Sequence, residues 1–152
     1  MIEKALILLA EDEQTDAYFI QWANKKAGLP HEIFHVADGQ EAIDYLRGTP
    51  PYDDRTRHPF PHLLLLDLKM PRLTGFDVLS WLKQDSDFPE LPVVVLSSSN
   101  YPADIDQARK LGATDYKIKP GNPQLLVEML QELDQRWFRP LPREDSLSLK
   151  RS

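Results

Sequence analysis

Apolar residues fall along this chain in short unbroken runs separated by longer amphipathic stretches. Four leucines, Leu63 to Leu66, run straight into Asp67, and Pro71 and Gly75 break the chain before helical spacing resumes. Ala5 to Ala10 and Val93 to Leu96 are runs of the same kind. Unalternating apolar segments bounded by turn residues predict strands buried on both faces of a parallel sheet. Glu32 to Val36, with β-branched and aromatic content, and Asp115 to Ile118 predict two further strands.

Between the strands the spacing becomes helical. A helix is predicted from about Gln14 to Ala27, with Ala17, Ile20, Ala23 and Ala27 on one face and Gly28 as its stop. Gln40 to Arg47 predicts a short helix closed by Gly48, and Gly75 to Gln84 another with Phe76, Leu79 and Leu82 in register. Ile105, Ala108 and Leu111 mark a fourth, stopped by Gly112. Asn122 and Pro123 form an N-cap and first-turn pair for the last, in which Leu126, Met129, Leu130, Leu133 and Trp137 recur on one face until Pro140 and Pro142. Gly48 to Pro61 carries four prolines among charged residues and predicts neither helix nor inner strand. Strand and helix alternate, which predicts an α/β fold: a doubly wound, five-stranded parallel sheet with helices on both faces. Residues 1–138 are expected to form one domain and residues 139–152 a loose tail.

Composition narrows the function classes. The chain contains no cysteine, which excludes disulfides, thiolate chemistry and Cys-based zinc sites and suits a cytoplasmic protein. A net charge of −6 argues against a general nucleic-acid binder. No apolar run approaches the roughly 18 residues a membrane helix needs, and the N-terminus lacks the pattern of a signal peptide. His31, His35, His58 and His62 fall in or near the second strand and the proline-rich loop, without metal-ligand spacing. Trp22 and Trp81 read as partial core.

The polar residues after the strands carry the chemistry. Glu11 and Asp12 follow the first strand, Asp67 the third, Ser97 the fourth and Lys119 the fifth. In a parallel sheet all these ends share one edge, where open α/β sheets keep their ligands. If the strand order is 2-1-3-4-5, Asp12 and Asp67 stand side by side. Taken alone, Asp67 could equally cap the next helix. Three carboxylates at close quarters repel one another. A hard divalent cation with oxygen ligands, Mg²⁺ above all, would relieve that repulsion.

With these residues in order, the chain from about Ile2 to Phe138 resembles the receiver domains of two-component response regulators. The long loop before the leucine strand and the Trp137-Phe138 helix end look most like the single-domain regulators associated with bacterial phytochromes. The resemblance implies a flavodoxin-like receiver fold of strand order 2-1-3-4-5. It implies that Asp67 accepts a phosphoryl group from the phosphohistidine of a sensor kinase, assisted by Lys119 and Ser97. Asp12, Asp67 and the backbone carbonyl of Lys69 would hold Mg²⁺, with Glu11 acting through water. Lys119-Pro120 would be a cis peptide, and Tyr116 would be the switch aromatic, turning inward as Ser97 moves. A tyrosine half covered by helices would fit that position as well. Serine stands at 97 where the family commonly has threonine, and Gly121 where a bulky residue often follows the Lys-Pro pair.

Three functions follow from these residues. The first is a signalling switch without catalytic turnover, acting through an unidentified partner protein. The others are a Mg²⁺-dependent phosphohydrolase with Asp67 as nucleophile and a receiver-like interaction module that is never phosphorylated. A hydrolase would usually place a second acid two residues after its nucleophile, where Lys69 stands. Trp137 and Phe138 continue the last helix's apolar stripe past the expected sheet edge. That predicts a homodimer through this helix, unless Trp137 folds back onto the domain.

Overall fold

The computed structural model describes residues 1–139. Five strands, β1 (Leu6–Ala10), β2 (Glu32–Val36), β3 (Leu63–Leu66), β4 (Val93–Ser97) and β5 (Asp115–Ile118), form one sheet. Every pairing is parallel and the order is β2-β1-β3-β4-β5. The helices are α1 (Gln14–Lys26), α2 (Gly39–Arg47), α3 (Gly75–Gln84), α4 (Pro102–Lys110) and α5 (Pro123–Leu133), the last continued by a wider π-helical turn over Asp134–Phe138. The fold class and strand order expected from the sequence are those observed, and the last helix apart, the predicted bounds agree to within a residue or two.

The side-chain period of a strand divides the core in two. Leu6, Leu8, Ala10, Leu64, Leu66, Val93 and Val95 face the layer of α2, α3 and Ala108 of α4. Ile7, Leu9, Leu63, Leu65, Val94 and Leu96 face α1 and α5. All four leucines of β3 are fully buried. At about 1.5–3 kcal/mol for each buried side chain, that strand is a principal hydrophobic anchor of the fold. Trp22 and Trp81 pack partly buried against the two clusters, as expected.

The proline-rich segment is neither helix nor strand, but it is firmly tied down. Gly48 caps α2 at φ 75°, and Arg55 reaches back to donate to the carbonyls of Tyr45 (2.8 Å) and Leu46 (2.7 Å) at that helix's C-terminal end. A cation there also suits the helix dipole. Tyr52 and His58 of the loop form an aromatic cluster with Phe34 of β2 and Tyr45 of α2.

The last helix departs from expectation. Instead of a continuous α-helix carrying Trp137 and Phe138 off the edge, the chain widens by one residue at Asp134, and Arg139 N donates to Asp134 O at 2.8 Å. This turn rotates Phe138 inward, where it is 1% exposed, packs on the His31 ring and accepts a hydrogen bond from Ile2 N. Trp137 is half-buried against the same cluster. The expected homodimer rested on both aromatics lying open. Phe138 is core, so the surface on which that expectation stood loses half of its pair. The tail beyond Arg139, with Pro140 and Pro142, lies outside the described residues.

Among the described residues, no helix is long and apolar enough to cross a membrane.

Candidate functional site

The register of β1 on β3 pairs Ala10 with Leu66, so Glu11-Asp12 and Asp67 leave the sheet as neighbours. Carboxylate oxygens of Glu11, Asp12 and Asp67 lie within 4.8 Å of one another. Glu11 is 1% exposed and Asp67 6%, while Asp12 is open to solvent. Such a set of oxygen donors, two sheltered and one reachable, fits a hard divalent cation that keeps part of its water shell. Among the described residues this is the only cluster with such geometry, and it contains no histidine.

The loop after Asp67 is shaped by backbone approach. A Cβ on Gly75 would stand 2.3 Å from the Asp67 carbonyl oxygen, so only glycine lets α3 begin so close to β3. Gly75 N then bonds Leu68 O at 3.0 Å, and a Thr74–Asp77 capping box starts the helix. Arg72 holds a left-handed φ of 64° and is clamped by buried Asp38, Nη2 to Oδ2 at 2.7 Å. Lys69, two residues beyond Asp67, is exposed.

Lys119 closes the site from β5. Its Nζ lies 2.7 Å from Glu11 Oε1, 2.8 Å from Asp16 Oδ2 and 3.5 Å from Asp67 Oδ2. Lys119-Pro120 is not cis, since the cis peptide among the described residues is Pro50-Pro51. The inward aim of the lysine needs no cis bond: Lys119 N donates to Ser97 O at 2.8 Å and the carboxylates draw the ammonium in. Burial alone would lower the Lys119 pKa, but hydrogen bonds to Asp16 and Glu11 and the charge of Asp67 raise it above its ordinary value. Burial pushes the Glu11 carboxyl up to about 7, opposed by its bond to Lys119 and reinforced by the Asp67 charge.

Ser97 ends β4, buried, its Oγ accepting from Ser99 N at 3.1 Å. Tyr116 is half-buried and its hydroxyl donates to Ser99 O at 2.9 Å, tying β5 to the loop that follows Ser97. The structure therefore brings Glu11, Asp12, Asp67 and Lys119 together directly and joins Ser97 and Tyr116 to them through backbone.

Two participants were not read from the sequence. Asp16, in the first turn of α1, binds Lys119; its only local signal is an acid near a helix N-terminus, an ordinary placement. His35 is the other: its Nε2 donates to Glu11 O at 2.6 Å. In β2 it stands opposite Leu9, two residues short of Glu11, and the ring spans that gap.

The sequence profile of the response regulator receiver domain matches residues 7–131. Response regulator Rcp1 of Synechocystis sp. is 33% identical over 133 residues, which cover 88% of each protein. The phosphorylated cyanobacterial phytochrome response regulator RcpA superposes with a TM-score of 0.82 at 34% identity, covering 91% of this chain and 97% of that one. The Mn²⁺-bound form of Rcp1 gives 0.78 at 32%, with the same coverage. On its profile, its relatives and its acid-lysine site, this chain belongs to the response regulator receiver domain family.

Proposed function

We propose that Asp67 takes a phosphoryl group from the phosphohistidine of a sensor kinase, and that the phosphorylated chain signals through a partner protein. The observation that carries this reading is the convergence of Glu11, Asp12 and Asp67 with the Lys119 ammonium at one sheet edge. The Asp67 carboxylate attacks phosphorus as the phosphorus–nitrogen bond to the kinase histidine breaks. Asp12 and Asp67, with the Lys69 carbonyl, are the residues that would hold Mg²⁺, and Glu11 would act through water. Bound Mg²⁺ supplies neutralisation of charge on the phosphoryl oxygens. Lys119 offsets further charge from the opposite side, and the Ser97 hydroxyl donates to a phosphoryl oxygen. Tyr116 then exchanges its bond to Ser99 O for an inward position as the Ser97 segment moves. The similarity to RcpA and Rcp1 supports a kinase of the phytochrome type and a cytoplasmic setting.

Incubation with Mg²⁺ and a small phosphodonor tests the reading. A switch gains one acid-stable, base-labile phosphoryl group per chain; repeated turnover indicates a hydrolase, and no reaction indicates an interaction module. In magnesium titrations followed by calorimetry, Asp12→Ala is expected to weaken binding by at least about tenfold, equivalent to ~1.4 kcal/mol. Glu11→Ala weakens it less, because Lys119 already engages that carboxylate. Equal affinity of Asp12→Ala and the parent rejects the metal assignment.

Lys69 bears on how long the phosphoryl group lasts. Its side chain is exposed two residues beyond Asp67, and a flexible stem ending in a point charge can lie over the phosphoryl oxygens and obstruct water. Ser99 is too short to position that water. Lys69→Ala is therefore expected to shorten the phosphorylated lifetime while changing the rate of labelling less. Decay of purified phosphoprotein at fixed Mg²⁺ decides it, and equal or slower loss from the variant removes the side chain from this role.

A further inference from the structure

We infer that Asp16 is a positioning residue that holds the Lys119 ammonium away from Asp67 in the resting protein, and so limits how readily Lys119 moves onto a phosphoryl group there. The inference rests on Asp67 being the phosphoacceptor. The two contacts of hydrogen-bonding length from Nζ go to Glu11 and Asp16, whereas Asp67 at 3.5 Å is beyond that range. Glu11 and Asp67 also face the acid cluster. Asp16 comes from a different element, α1, and its carboxylate has Lys119 as its partner.

The setting makes this contact separable. The Asp16 side chain is 37% exposed, and the pair borders a groove of about 370 Å³ lined by Phe19, Ile20, Pro120, Asn122 and Leu126. A half-exposed ion pair is weak, and the groove gives both side chains room to part. A phosphoryl group on Asp67 brings about two negative charges to the far side of the lysine. Lys119 then exchanges Asp16 for the phosphoryl oxygens, and the hold of Asp16 opposes that exchange. The ordinary role of a first-turn acid, complementing the helix dipole, would affect α1 stability but not the position of Lys119.

Labelling rates with a small phosphodonor at fixed Mg²⁺, and the Nζ resonance of Lys119 in ¹⁵N-lysine spectra assigned by its loss in Lys119→Met, test this together. Asp16→Asn should label roughly three- to fivefold faster than the parent, the scale of one partly exposed ion pair. Its Nζ resonance should move. Asp16→Glu should keep the parent rate and resonance. Glu13→Gln, which removes a charge from the same segment without touching Lys119, should change neither. An unchanged or slower rate in folded Asp16→Asn, an unmoved resonance, or equal acceleration by Glu13→Gln overturns the inference alone. A parent that takes no label overturns the phosphoacceptor reading, and this inference with it.

Discussion

Asp67→Asn is expected to take no phosphoryl label from either a small donor or a kinase while keeping the fold. The amide is nearly isosteric, but it is not a nucleophile toward phosphorus. Asp67 stands at the end of the fully buried β3, its N–H bonded to Ala10 O at 3.0 Å, and none of that backbone frame depends on the carboxylate charge. Burial, the main cause of the raised Glu11 pKa, remains, while the smaller contribution of the Asp67 charge is lost, so that pKa falls somewhat. Lys119 keeps Glu11 and Asp16. Stability should therefore stay within about 1 kcal/mol of the parent. Mass spectrometry after donor treatment and a denaturant titration read the two halves of the expectation. Labelling at an unchanged rate would remove Asp67 from its role, and a large loss of stability would make absence of label uninformative.

What the sequence made legible follows from the range of each signal. Leu63 to Leu66 and Val93 to Leu96 declare strands locally, and the parallel alternation then forces Glu11, Asp67, Ser97 and Lys119 to one edge. That step needs no knowledge of contacts. The choice of partners is different, because it depends on which side chains happen to reach one another across elements. Asp16 looks like any first-turn acid until Lys119 arrives from the far end of the chain. His35 reads as a strand residue until its ring is seen to span the gap to Glu11 O. The cis Lys119-Pro120 bond was expected through family resemblance, yet the lysine is aimed by Ser97 O and the surrounding carboxylates. At the last helix the apolar spacing carried the stripe to Trp137 and placed it and Phe138 open past the sheet edge, whereas Phe138 is buried. It could not show that a single π-turn would send Phe138 inward, because helical periodicity assumes a constant number of residues per turn.

The same turn sets up the largest expected loss of stability, that of Asp134→Ala. His31 and Asp134 are both buried, with Nε2 2.6 Å from Oδ1, and they join the start of β2 to the end of α5. His31 Nδ1 accepts from Ala5 N at 2.9 Å, so Nε2 carries the proton and donates to the carboxylate. The second oxygen of Asp134 receives Arg139 at 2.9 Å, and the Asn24 amide donates to His31 O at 2.8 Å. Removing the carboxylate strands a buried imidazole N–H and frees Arg139, while Phe138 loses the histidine geometry it packs upon. A buried donor stranded in this way costs about 2–3 kcal/mol, the upper part of the range for an unsatisfied buried polar group. Asp134→Asn keeps an acceptor for Nε2 and should cost about 1–2 kcal/mol, the scale of a weakened charge-assisted bond. Urea titrations of the three proteins measure this, and an unchanged slope identifies the shift in midpoint as stability. His31 precedes β2, at the sheet edge opposite the acid cluster, so the labelling rate per folded molecule should stay that of the parent. A loss under about 1 kcal/mol for Asp134→Ala would mean that the π-turn is held by Phe138 packing, with the His31–Asp134 pair contributing little.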